Sequence, residues 1–134
     1  MTTRIIDLLA AISDHLSTVE LPAIASVYVS AWTPQAIVQL ACHEHAGIAQ
    51  GLLAWAQTLT HVSAEVWRTR RGDSVHLSLT GQLPDDTTVR VYGALPRTDH
   101  SVGADLPPGT TTPLPLATLH HLATPESATA EATH

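Results

Sequence analysis

Three residue types never occur in this chain of 134 residues: lysine, phenylalanine and asparagine. Without lysine, six arginines carry all the fixed positive charge against twelve carboxylates, and the formal net charge is -6. A general phosphate-backbone binder needs clustered cations to displace counterions, so this balance disfavours a nucleic-acid partner while allowing a local basic patch. All three missing residues are written with AT-rich codons, which points to GC-rich coding DNA and says nothing about activity. Cysteine is nearly absent too. Cys42 stands alone, so no intrachain disulfide can form and an oxidising compartment gains no support.

Long hydrophobic runs are also missing. The longest, residues 46–59, carries Gln50 and Gln57 and is too short to cross a bilayer. At the N-terminus Arg4 precedes Ile5 and Ile6, but Asp7 and Asp14 interrupt the apolar residues and no small-residue cleavage site follows, so no signal peptide is expected. These features predict a cytoplasmic protein with no membrane association. What remains is ample for a core. Apolar residues make up 44% and charged residues 13%, the opposite of the charge-rich signature of disorder. The length suits one domain.

The order of periods along the chain predicts an α+β fold. Ile5, Leu9, Ile12 and Leu16 fall at helical spacing, with Leu8 widening the stripe and Thr2 or Thr3 placed to cap it. The helix is expected to stop before Pro22. Residues 23–30 and 36–42 alternate as two strands of a hairpin, joined through Trp32 and Pro34. A second helix over residues 46–59 presents Ile48, Leu52, Trp55 and Leu59 on one stripe, despite Gly47 and Gly51. Three further strands follow, centred on Val62 to Trp67, Val75 to Thr80 and Val89 to Tyr92, with Gly72 supplying the positive φ of a tight turn. The expected architecture is α-β-β-α-β-β-β: an N-terminal helix, a β-hairpin, a central helix and a three-stranded antiparallel meander in a single, mainly antiparallel sheet covered on one side. The domain is expected to span residues 1–96. Residues 97–134, which hold five of the nine prolines and no sustained period, read as a flexible Pro/Thr/Ala-rich tail, with Leu114, Leu116, Leu119 and Leu122 as a short docking element within it.

Four groups of residues invite a chemical reading. The run Cys42-His43-Glu44-His45 is the best focus for a metal among nine histidines, yet a tetrahedral site needs ligands that converge. Neither a strand nor a helix start brings these together, and the spacing departs from H-E-x-x-H. No metal or cofactor is expected. His120, His121 and His134 read as uncommitted surface side chains. Arg68, Arg70 and Arg71 surround the first hairpin of the meander and are candidate anion contacts, since guanidinium binds phosphate or carboxylate bidentately. The competing reading is a solvated hairpin tip, with Arg71-Gly72-Asp73 as turn chemistry. Finally, alternation places Trp67, His76, Arg90 and Tyr92 together on the face of the meander opposite its apolar residues. These are residue types enriched at binding hot spots. The competing reading is that the N-terminal helix covers this face, which makes Trp67 and Tyr92 ordinary residues of a second core. No G-x-S-x-G elbow, Walker loop or G-x-G-x-x-G is present.

The phrases Leu40-Ala41-Cys42-His43-Glu44, Leu52-Leu53-Ala54-Trp55-Ala56, Gly72-Asp73-Ser74-Val75-His76-Leu77 and Val89-Arg90-Val91-Tyr92-Gly93 resemble small uncharacterised proteins of streptomycetes and their mobile elements. The resemblance covers about half the chain. It implies an actinomycete source, consistent with the codon argument, and assigns no role to any residue.

The leading expectation is therefore a non-catalytic protein-interaction module that binds a protein partner or self-associates. One alternative is a small ligand-binding protein or enzyme with a helix–sheet pocket near His43, Glu44 and His45. Another is a nucleic-acid regulator using the Arg68, Arg70 and Arg71 hairpin.

Overall fold

A computed structural model describes residues 5–30, 32, 35–98 and 102–124. The elements in chain order are α1 (Ile5–Thr18), β1 (Ile24–Val29), β2 (Gln35–Leu40), α2 (His45–Ala56), β3 (Thr60–Arg68), β4 (Ser74–Gln82), β5 (Thr88–Pro96), β6 (Thr111–Pro113) and α3 (Leu116–Ala123). The fold is α+β. The N-cap positions Thr2 and Thr3, the turn residues Thr33 and Pro34, and residues 125–134 with His134 lie outside the described residues.

All six strands form one sheet in the order β1-β2-β5-β4-β3-β6. The expected hairpin and meander are both present as antiparallel pairs. The sheet as a whole is mixed, because β2 pairs with β5 in parallel, Val38 beside Val91. That departure has a topological cause. After β2 the chain crosses the sheet through α2 and starts the meander three positions away, so the last meander strand returns to lie beside β2. Hairpins are antiparallel by local necessity, whereas a strand reached by a crossover is free to run parallel.

Alternation then sorts the side chains. Ala36, Val38, Leu40, Val66, Val75, Leu77, Leu79, Val89 and Val91 turn to one face and are buried there with Ile48, Ala49, Leu52 and Trp55 of α2. α2 approaches closely because two glycines allow it. A Cβ on Gly47 would collide with Cys42 Sγ, and one on Gly93 of β5 would come within 2.7 Å of Ile48. At Gly72 the expected positive φ is observed, at +79°.

α1 packs on the same face, although not by the expected stripe. Its buried line is Leu8, Ile12 and His15, while Ile5 and Leu9 remain 41% and 46% exposed. A histidine serves in the core because its polarity is satisfied there. His15 Nε2 lies 2.8 Å from Thr58 Oγ1, and that hydroxyl donates its only proton to the Trp55 carbonyl at 2.8 Å. His15 Nε2 must therefore be the donor, which fixes the neutral tautomer. Its ring packs 5.5 Å from the indole of Trp55.

Within the segment expected to be a flexible tail, the described residues 102–124 form β6 and α3 and dock on the rest of the fold; residues 99–101 lie outside the described part. β6 pairs with β3, and the buried Leu114 donates its N–H to the Ala64 carbonyl. α3 packs on α2 through the fully buried Leu119, and Gln50 Nε2 donates to the Ala123 carbonyl. Proline here punctuates short elements rather than preventing them: Pro113 ends β6 and Pro115 is the N-cap of α3. Of the leucines read as a docking element, Leu114 and Leu119 dock, Leu122 is half-buried and Leu116 stays exposed.

Candidate interaction site on the open face of the sheet

The sheet face opposite α1, α2 and α3 carries no helix among the described residues. The possibility that the N-terminal helix covers it is excluded by Ile12, which belongs to the core on the other side. On this open face, register brings the predicted residues into one group. Trp67 of β3 stands directly opposite His76 of β4. Ser78 of β4 is paired with Tyr92 of β5, and Thr80 with Arg90. The parallel joint then sets Ile37 of β2 beside Arg90, and the β6 edge sets Thr111 beside Trp67. Together Ile37, Trp67, His76, Arg90, Tyr92 and Thr111 line a shallow hollow of about 480 Å³ that spans five of the six strands.

Within it the rings are organised. His76 meets Trp67 edge to face, with centroids 4.8 Å apart and planes at 88°. The other side of the imidazole stacks on Tyr92 at 5.1 Å and 18°. Edge-to-face and stacked geometries are the favourable ones for π-systems, so the three rings form a pre-set platform. Burial, and secondarily the Arg90 guanidinium, hold the His76 pKa below its ordinary value of 6.5. Near neutral pH the imidazole is thus uncharged, and Arg90 is the fixed cation of the hollow. Its hydrogen bond among the described residues runs to Ser78 Oγ at 3.5 Å, the outer limit of such a contact. Most of its five donors remain open to an acceptor.

Two members of the hollow escaped sequence reasoning. Ile37 had a signal: it is an apolar residue on the polar parity of β2, next to Gln39. Thr111 had none, since a strand of three residues shows no period.

The other predicted groups are placed elsewhere. Arg68 is committed to the protein itself, which corrects its assignment as an anion contact. Its Nε donates to the Gly72 carbonyl at 3.0 Å and one Nη donates to the Leu106 carbonyl at 2.7 Å. This clasp fastens the chain preceding β6 onto the β3–β4 turn. Arg70 and Arg71 are exposed at that turn. His43 and Glu44 are exposed, while His45 Nε2 accepts the Val102 N–H at 3.3 Å. The hollow beside the start of α2, about 200 Å³, is lined by Leu40, Cys42 and the two helix glycines rather than by the histidines. No convergent group of three metal-ligand side chains exists among the described residues, and no described helix is long and apolar enough to cross a membrane. His120 and His121 are exposed on α3.

No family model, no curated protein and no solved structure matches the chain.

Proposed function

We propose that the chain is a non-catalytic interaction module that holds an extended segment of a protein partner across the open face of its sheet. The observation that carries this reading is the hollow itself: Trp67, His76 and Tyr92 form an aromatic platform beside Arg90 on a face without a helix among the described residues. Aromatic and arginine side chains give large burial at low entropic cost and dominate binding energy where they cluster. The partner chemistry that fits is an apolar or aromatic side chain set next to a carboxylate. The ring surfaces would bury the first and Arg90 would pair the second, inside a hollow where its field is less screened than on an open surface. An overall charge of -6 makes such a local cation selective, because acidic segments meet repulsion elsewhere on the molecule.

The reading is tested by placing a photo-crosslinking residue at Thr111, on the rim, and exposing the protein to extract of its native host. A specific crosslinked protein is expected from the wild-type face and not from Trp67→Ser/Arg90→Ser, whose far-UV spectrum stays folded. Equal capture of that protein by the folded double variant would place the binding site elsewhere.

A further inference from the structure

The two edges of the sheet are finished differently. β6 forms one edge with only three residues and ends in Pro113. Shortness and proline are the devices that keep an exposed edge from pairing with another chain. β1 forms the other edge with six residues, Ile-Ala-Ser-Val-Tyr-Val, none charged and none proline. Its one irregularity is a bulge between Ile24 and Ser26, which leaves Ser26 to Val29 in regular register with β2. The outer N–H and C=O groups of that stretch have no partner strand among the described residues. Tyr28, on its open-face side, is 61% exposed.

The helix above this edge is unfinished on the same side. α1 lies over β1 and β2. Residues on either flank of its buried line, Leu8–Ile12–His15, face in opposite directions. One flank, with Ala11, Asp14 and Thr18, borders a hollow shared with Leu83 and Pro84 of the β4–β5 turn, and therefore looks toward the middle of the sheet. The other flank carries Ile5, Leu9 and, further round, Ile6, and so looks outward past β1. These three are 41%, 46% and 62% exposed. An unpaired, uncharged strand edge and an unburied apolar helix flank thus share one side of the molecule.

We infer that β1 pairs antiparallel with β1 of a second copy of this chain, about a two-fold axis normal to the sheet, with the outward flanks of the two α1 helices meeting across that axis. A partner must satisfy both layers together, offering a strand below and an apolar helix flank above at matching height. A second copy rotated by the two-fold offers both by construction, and self-complementary two-fold interfaces are the commonest form of oligomer. Because β1 is uncharged, the rotation sets no like charges opposite one another. The spacing also closes. With strands about 4.8 Å apart, helices seated over β1 and β2 of each copy would have axes on the order of 10 Å apart, the distance at which packed helices interdigitate. The product is a continuous twelve-stranded sheet with both open faces on one side and two aromatic hollows presented in parallel. Nothing in this inference depends on what those hollows bind.

The test is sedimentation equilibrium of the full chain across a concentration series, with two double variants at exposed positions. Ile6→Glu/Leu9→Glu places acids on the helix flank, and Ala25→Lys/Tyr28→Lys places cations along the edge strand. The wild type is expected to be a dimer, and each variant, with an unchanged far-UV spectrum, is expected to weaken it at least about tenfold, as facing like charges do. Backbone amides of Ser26 to Val29 should exchange more slowly in the wild type than in either variant. A wild type that stays monomeric into the millimolar range overturns the inference. So does a dimer that persists in both variants, and so does one lost only in Trp67→Ser/Arg90→Ser, which would mean that the open faces pair instead.

Discussion

Two tryptophans, each beside a histidine, stand on opposite sides of the sheet and have opposite fates. Trp55 sits in the helix layer, fully buried against His15, with its indole N–H unpartnered among the described residues. Trp67 stands on the open face against His76, half-buried, with nothing packed above it among the described residues. Both pairs are aromatic contacts of ordinary length. The difference lies in what the surrounding chain supplies. The helix layer, with His15 of α1 against the indole, completes the environment of Trp55, whereas only neighbouring strands surround Trp67 among the described residues. Burial of the first is consumed by folding; that of the second is still available to a partner.

Removing part of the helix layer should break this comparison most severely. Truncation after Arg97 deletes β6 and α3, and with them the buried Leu114 and Leu119 and the carbonyl that anchors Arg68. Each buried leucine contributes about 2–5 kcal/mol, against a typical domain stability of roughly 5–15 kcal/mol. Thermal unfolding of the truncated chain is expected to lose its cooperative transition; a transition within a few degrees of the full chain would mean that α3 contributes little to the core.

The two tryptophans provide the next test. Trp55→Ala is expected to cost about 3–5 kcal/mol, and Trp67→Ala less than about 1.5 kcal/mol, because partly exposed rings lose less burial. Urea denaturation midpoints of the two variants measure the contrast, and equal midpoints would abolish it. Trp55→Phe sharpens it further. The substitution keeps an aromatic ring beside His15 and deletes a buried donor that has no acceptor among the described residues, so it should cost clearly less than the alanine change.

Acid should separate the two histidines by a smaller amount. Burial lowers the pKa of His15 from 6.5, and burial followed by Arg90 lowers that of His76. In this range the unfolded chain takes up protons first, so stability is full above about pH 6.5 and falls as the pH drops from there toward the folded-state values. His15→Gln and His76→Gln should each flatten part of that decline. In Arg90→Ser, the contribution of His76 should shrink while that of His15 stays unchanged. Chemical denaturation at a series of pH values between 5 and 8, the span in which histidine titrates, gives the slopes. Trp67→Ser/Arg90→Ser is expected to cost folding no more than about 1–2 kcal/mol in total, so that any loss of binding is read on a folded protein.

How much of this was legible in the chain depends on the range of the interactions involved. Val75, Leu77 and Leu79 alternating with His76 and Ser78 committed β4 to one covered and one open face, and the same parity on β3 and β5 collected Trp67, Arg90 and Tyr92. Helical spacing likewise assigned Ile48, Leu52, Trp55 and Leu59 to the core, and all four are buried. The reading of α1 failed at His15, whose burial depends on Thr58, 43 residues away. Arg68 looked like a free cation because its acceptors lie in the chain around Leu106. β6 was hidden by length, three residues being too few to display a period, and α3 left only the leucines read as a docking element against a background of threonine, alanine and proline.

By itself, then, the sequence determined the properties carried between near neighbours: the α+β class, the hairpin and meander, the turn at Gly72, and the common face of Trp67, His76, Arg90 and Tyr92. Backbone sterics and side-chain alternation act over a few residues, so their record is written locally. Tertiary structure alone decided that β2 lies parallel to β5, bringing Ile37 to the hollow, that all three helices share one face, and that the last segment docks. Those outcomes follow from which apolar surfaces could be buried together once the chain had crossed the sheet, a competition among distant segments that no local period encodes.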